Sequence, residues 1–256
     1  MVTTRTARKH DTWLRALGRR ELPEQILFQE QVYRRVETLK HDFFAATGLY
    51  EGPTGKQVLK LGRQAELLGF PLAWLGRWLA DREADMYQRL QDLEGIPGYT
   101  GRWGKTGLLH AYVPGHPLGR HEWVNERFFD RLQAQIDQIH RRGMAYVDLN
   151  KRENIIVGDD GRPYLIDFQI SFYWPYTSRS MPLPVCWLLR WLQQGDLYHL
   201  AKHIKRHRPD LVRPEHEQMW ERGIRLVRFY RRVSAPFTRI RRQTLKRLGR
   251  WRTGPA

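Results

Sequence analysis

A chain of 256 residues, 41% of them hydrophobic and 12% aromatic, is long enough to bury a core in one large domain or two lobes, and wholesale disorder is excluded. Its 44 Lys and Arg against 27 Asp and Glu give a formal charge of +17, which favours an anionic partner: nucleotide, nucleic acid, membrane surface or phosphorylated substrate. The single cysteine, Cys186, excludes an internal disulfide and a cysteine-rich metal site, no apolar run reaches membrane-spanning length, and the basic N-terminus lacks the apolar segment of a secretory signal.

Residues 1–30 are polar and basic and are expected to be a peripheral extension. From Val32 to Phe44 helical and strand patterns compete. Thr47–Tyr50, the turn Gly52-Pro53-Thr54-Gly55 and Gln57–Leu61 then predict a β-hairpin. Residues 65–79 predict a buried or interfacial helix with an aromatic face of Phe70, Trp74 and Trp78. Asp81–Leu93 predicts a second helix, because Met86, Leu90 and Leu93 recur at helical spacing and Gly95 follows as a stop. Two short strands are expected between Tyr99 and Val113, around Gly104-Lys105-Thr106-Gly107. Pro114-Gly115-His116-Pro117 breaks the chain and predicts a boundary between lobes at 31–114 and 115–234. Val124, Phe128, Leu132, Ile136 and Ile139 predict a long amphipathic helix that Gly143 ends. Asn154–Val157 and Tyr164–Ile166 flank the turn signal Gly158-Asp159-Asp160-Gly161 and predict a second hairpin. From about Pro184 the pattern is helical. In the tail, 235–256, Phe237, Ile240, Thr244, Leu248 and Trp251 fall near one face among arginines and lysines. That pattern suits an anionic membrane surface or equally a helix packed on the body with a solvated basic face. The fold class expected is α+β.

The chemistry concentrates in Tyr146–Val157 and Leu165–Gln169. Asp148 follows a helix in a loop, Asn154 stands at the mouth of the second hairpin, and Asp167 caps its far strand. Any one alone reads as a turn residue. The hairpin returns Asp167 close to Asn154, so a carboxylate and an amide can share a hard cation with phosphate oxygens. Asp148 is left to receive a proton from an incoming hydroxyl.

This order of residues, from about 35 to 205, resembles the catalytic core of the protein-kinase superfamily. The resemblance implies a two-lobed protein-kinase-like fold with a small β-rich N-lobe and a mainly helical C-lobe. It implies ATP and magnesium as cofactors, Asp148 as the catalytic aspartate, and Asn154 and Asp167 as the metal ligands. Lys60, in Val58-Leu59-Lys60, falls on the lysine that touches the α- and β-phosphates. Glu83 is its implied partner, with Asp85 a competitor. His110 and Tyr112 lie on the strand entering the hinge, where backbone groups meet adenine.

Departures from the superfamily pattern bear on which branch it resembles. Tyr146 and Val147 stand where the usual histidine and arginine precede the catalytic aspartate. One extra residue separates Asp148 from Asn154, so either the loop bulges or Glu153 takes the metal position. Gln169 replaces the glycine after Asp167-Phe168. No G-x-G-x-x-G is present, Ala45-Ala46-Thr47-Gly48 being the available substitute, and no A-P-E follows. The chain is more similar to the small bacterial kinases of lipopolysaccharide core sugars, with aminoglycoside and RIO-type kinases nearby. That resemblance implies a cytoplasmic enzyme phosphorylating a sugar or lipid-linked sugar, peripheral to the inner membrane face. A Ser/Thr protein kinase and a catalytically inactive pseudokinase binding module are the alternatives. A nucleic-acid binder would leave the Asp148–Asp167 constellation unexplained. Asp196 reads as a brace of the catalytic loop or as an acid at a helix N-terminus. Phe172–Tyr176 reads as an acceptor border or as packing under the loop. The cluster Lys202, His203, Lys205, Arg206, His207 and Arg208 reads as an anion site or a solvated face, and His203 and His207 lack a third zinc ligand.

Overall fold

The computed structural model describes residues 15–66, 70–174 and 181–224. The N-terminal lobe is a six-stranded antiparallel sheet of β1 (Gln25–Phe28), β2 (Gln31–His41), β3 (Ala45–Gly52), β4 (Gly55–Gly62), β5 (Tyr99–Trp103) and β6 (Gly107–Ala111). Its strand order is β1-β2-β3-β4-β6-β5. The ambiguous stretch from Val32 is strand, in keeping with its β-branched and aromatic residues Val32, Tyr33, Val36 and Thr38. The expected hairpin is present and longer than its sequence signal, pairing from Ala45↔Gly62 to Gly52↔Gly55.

Alternation along β4 sends Leu59 and Leu61 to the outer face and Val58 and Lys60 to the cleft. The outer face is apolar and is sealed by Leu17, Leu22 and Ile26, which pack with Tyr33, Ala46, Tyr50, Leu59, Leu61 and Leu109. The expected peripheral extension, 1–30, is therefore corrected: from residue 15 onward it belongs to the lobe. Two features hid it. Its few apolar residues lie among arginines, and the β1–β2 turn is Gln29-Glu30, both at positive φ (48° and 63°), where such a two-residue turn usually advertises itself with Asn-Gly.

The helices expected at 65–79 and 81–93 are one helix, α1 (Ala73–Leu90). Pro71 holds off its start, residues 67–69 lie outside the described residues, and no Gly or Pro interrupts it at Leu79–Arg82. Leu79, Glu83, Met86 and Leu90 form its buried row. The aromatic face points the other way: Trp74 and Trp78 are 64% and 52% exposed, and Phe70 is 72% exposed. Where α1 crosses β4, a Cβ on Gly76 would lie 2.1 Å from the Arg63 carbonyl oxygen. Only glycine permits that approach, and the approach brings Glu83 over Lys60.

The second lobe is built on α2 (Glu126–Arg141), started by the Asn125 side chain accepting from the Arg127 N–H, and on α3 (Leu183–His207). Residues 214–224 are also helical. Between α2 and α3 lie β8 (Met144–Ala145), β9 (Ile155–Gly158), β10 (Pro163–Leu165) and β11 (Phe172–Tyr173). With β7 (Gly115–Pro117), β9 and β10 form a three-stranded sheet, and β11 pairs with β8. The predicted hairpin has the register Pro163↔Val157 to Leu165↔Ile155. One core runs through both lobes. Met86, Tyr87, Leu90 and Leu108 pack in the same cluster as Phe128, Leu132, Ile136, Phe168 and Leu200, each fully buried side chain of this size contributing about 1.5–3 kcal/mol. The basic tail, 235–256, lies outside the described residues.

Candidate active site

Lys60 faces the cleft because β4 alternates. Its Nζ lies 2.9 and 2.8 Å from Oε1 and Oε2 of Glu83 and 2.7 Å from Oδ1 of Asp167. Asp85, the competitor for this role, pairs with Arg89 at 3.0 Å on its own helix instead. One cation between two carboxylates cannot neutralise both. Burial raises the Glu83 carboxyl to about 7 against the pull of Lys60. Burial also pushes Asp167 upward, but Lys60, with Lys151 and Lys40 behind it, outweighs that and holds Asp167 below the usual carboxylate range. Burial acts to lower Lys60, and Glu83 and Asp167 overcome it, so its ammonium is firmly charged.

The loop carrying Asp148 is held in an unusual shape. Val147 has φ +72° and Asp167 φ +63°, a left-handed conformation that a β-branched residue such as valine adopts only under constraint. The constraint is Asp196. Fully buried in the middle of α3, it accepts from the Tyr146 N–H at 2.8 Å and the Val147 N–H at 2.7 Å, and contacts His140 Nε2 at 3.0 Å. Asp196 is thus a brace, remote from any helix N-terminus. Lys202 adds a bond to Asn150 Oδ1 at 2.7 Å and His203 Nε2 meets the Leu149 carbonyl at 2.8 Å, so these two members of the basic cluster hold the loop. Among the described residues no three-ligand metal group occurs.

Asp148 is 8% exposed. Its Oδ2 accepts from Asn154 Nδ2 at 2.9 Å and from Lys151 Nζ at 2.7 Å. The extra residue before Asn154 is taken up by a 3-10 turn at Arg152–Asn154. That turn sends the Glu153 side chain out, 69% exposed, and Asn154 in, 5% exposed. The hairpin then brings Asp167 back. Ile166 N–H donates to the Asn154 carbonyl at 3.1 Å, and Asp167 is the next residue. Asn154 donates through its nitrogen, which leaves its amide oxygen as an acceptor. With the Asp167 carboxylate it makes a hard-oxygen donor set that fits magnesium.

His110 pairs opposite Val58, on the cleft side of β6, but its ring turns inward onto Tyr87, 5.2 Å between centroids. Burial lowers it to about 4, so it is uncharged near neutrality. Edge-to-face contacts carry the chain of rings on, from Tyr87 to Phe168 at 5.0 Å and from Phe168 to Tyr146 at 5.3 Å. This row of rings ties sheet, α1, Asp167 and the Tyr146–Asn154 loop together, and no local spacing announces it. Tyr112 is half-buried, its N–H donating to the Lys56 carbonyl at 3.1 Å. Phe172 and Tyr173 form β11, and Tyr173 packs on the main core; Pro175 and Tyr176 lie outside the described residues. Ala45-Ala46-Thr47-Gly48, the expected substitute for a glycine-rich loop, is strand β3, and the turn at the cleft is Asp42–Phe44.

No family model matches the sequence, and no curated protein matches it. Solved structures do resemble it. The PF14_0431 kinase domain has a TM-score of 0.53 at 14% identity, covering 71% of this chain and 65% of that one. The Rio2 kinase from Chaetomium thermophilum has a TM-score of 0.52 at 14% identity, with 70% and 59% covered. The same kinase as an ADP/Mg2+-phosphoaspartate complex has a TM-score of 0.51 at 15% identity, with 70% and 58% covered. The chain thus matches between 58% and 65% of these proteins' length.

Proposed function

The protein has the two-lobed α+β fold of the protein-kinase-like superfamily, and we propose that it transfers the γ-phosphoryl group of ATP to a hydroxyl acceptor. The observation that carries this is Lys60 bridging Glu83 and Asp167, with the Asp148–Asn154 pair beside it. Lys60 orients the α- and β-phosphates and Glu83 fixes Lys60. Asn154 and Asp167 are the residues that would hold magnesium, which when bound neutralises phosphate charge. Asp148 aligns the acceptor hydroxyl and takes its proton as the new O–P bond forms and the bond to the β–γ bridging oxygen breaks, releasing ADP. His110 and Tyr112, on and just beyond β6, border the adenine end. Alignment and charge neutralisation supply most of the rate.

For the acceptor we favour a sugar hydroxyl of a lipid-linked glycan at the cytoplasmic membrane face. Tyr146-Val147 before the catalytic aspartate, the missing A-P-E segment, the charge of +17 and the basic tail support this reading.

Magnesium-dependent ADP release from ATP, compared between the wild type and Asp148→Asn or Asp167→Asn, tests the proposal. We expect losses of about 10²–10⁴-fold in both variants with the fold intact. ATP binding with no turnover for any acceptor would favour a pseudokinase, and no ATP binding would overturn the reading. Sedimentation with anionic vesicles that matches neutral vesicles would remove the membrane from it.

A further inference from the structure

We propose that Lys40, on the β2–β3 hairpin above the cleft, is a second phosphate-binding side chain, taking over by charge what a glycine-rich loop does with backbone amides. The inference rests on the phosphotransferase reading and deepens it at the nucleotide's phosphate end.

The argument begins with the amides of the turn. A loop that cradles phosphates does so with free N–H groups. Here the Phe44 and Ala45 N–H groups donate to Asp42 Oδ1 at 2.8 and 3.0 Å, and the Asp42 N–H donates to the Ala45 carbonyl at 3.0 Å. Three of the donors at the tip, those of Asp42, Phe44 and Ala45, are therefore already engaged within the turn. The turn is also fixed from outside. The Ala16 N–H donates to the Asp42 carbonyl at 2.7 Å, and Arg63 Nη1 donates to the Phe43 carbonyl at 2.9 Å. The Arg63 guanidinium lies 4.0 Å from the Phe43 ring centre. A turn without glycine, tied at this many points, cannot reshape itself around a triphosphate.

Register then supplies the replacement. Lys40 pairs with Thr47, and Thr47 pairs with Lys60. Residues directly opposite one another across strands share a face, so Lys40, Thr47 and Lys60 form one row on the cleft side, the two lysines two strand spacings or ~10 Å apart. The neighbour confirms the direction. His41 sits on the outer face, where its ring meets Arg15 and the Leu17 amide, so alternation turns Lys40 inward. Lys40 is 60% exposed and pairs with Asp42 Oδ2 at 2.7 Å, a partner that can hold the ammonium at the tip. Lys60 contacts Asp167 at 2.7 Å and Lys151 contacts Asp148 at 2.7 Å, so Lys40, in the row of Lys60, adds a third ammonium to the cleft, from the hairpin side. Such a cage of cations suits a triphosphate and is superfluous for a neutral nucleoside.

The test is calorimetric titration of wild type, Lys40→Met and Lys40→Arg with MgATP, MgADP and adenosine. Lys40→Met should bind MgATP about 10–100-fold more weakly, with adenosine affinity unchanged, and Lys40→Arg should recover most of the loss. MgATP binding by Lys40→Met equal to wild type would overturn the inference while leaving the phosphotransferase reading in place. Equal loss of adenosine and MgATP would also overturn it, by showing that Lys40 serves the fold of the hairpin. A wild type that binds none of the three would instead overturn the phosphotransferase reading, and this inference with it.

Discussion

Below the cleft, the loop from Tyr146 to Asn154 is held by side chains reaching it from one helix some fifty positions away: Asp196, Lys202 and His203 on α3. Above it, the turn from His41 to Ala45 is held by its own Asp42 and by two segments that seal the back of the sheet, Ala16–Leu17 and Arg63. The lower loop carries left-handed backbone at Val147 and needs a buried carboxylate to keep it there. The upper turn is locally satisfied and needs only anchoring. The proposed roles divide in the same way: the strained loop would fix the groups that touch the reacting atoms, and the hairpin beside the relaxed turn would present a side chain.

Removing the brace should break the lower half most severely. Asp196→Ala leaves the Tyr146 and Val147 N–H groups buried without an acceptor, at about 1–3 kcal/mol each. Urea denaturation should show a loss of about 3 kcal/mol or more, with phosphotransfer abolished even where the fold persists. Unchanged stability would mean that Val147 keeps its conformation without help.

The upper half should respond less. Arg63→Met removes the donors to the Phe43, Ala65 and Glu66 carbonyls and should cost about 2 kcal/mol. It should weaken MgATP more than adenosine, because the displaced turn carries Asp42, the partner of Lys40. Loss of both ligands alike would place the effect on the whole lobe.

Protonation is a separate lever, read as a slope against pH and not as a loss at one pH. His110, His199 and His203 are each lowered to about 4, by burial first. The unfolded chain therefore binds protons between about pH 6.5 and 4 that the folded chain refuses, and stability should fall on acidification through that window. Each shift corresponds to at most about 3 kcal/mol. Glu83, raised to about 7, acts oppositely, since its folded form gains a proton as the pH drops, and it offsets part of what the buried histidines contribute. His203→Gln should make the acid-side decline shallower in denaturation curves taken from pH 7 to 4.5, and an unchanged slope would mean that His203 is not held neutral.

The two halves also differ in how much the sequence disclosed. The lower site was legible because Asp148, Asn154 and Asp167 are polar residues set around a hairpin with its own turn signal, and local chain geometry brings them together. Lys60 and Glu83 were legible as a strand lysine and a helix acid. Their contact depends on the glycine crossing of β4 and α1, a tertiary event without a local signature. Asp196 was visible as a candidate, but its use as a brace required knowing that it sits mid-helix and fully buried. The upper site was illegible. Lys40 is one lysine on a basic strand, and its direction is set by a register that slips between Thr38 and Lys40. The Gln29-Glu30 turn hid β1, and the two stretches read as separate helices meet at Leu79–Arg82, where no Gly or Pro parts them and each residue tolerates a helix.

The strand order carries a consequence for synthesis. β6 lies between β4 and β5, so the open edge of β4 waits for Gly107–Ala111, and the seal that Leu17, Leu22 and Ile26 make over the back of the sheet is complete only when Leu109 arrives. A chain growing from its N-terminus must carry those apolar residues for about ninety residues of elongation, or ~5–20 s, before their last partner exists. Arg15, Arg19 and Arg20 sit beside them. Like charges of this kind oppose association of a waiting segment with its copies, a consequence of the basic composition that is separate from any ligand.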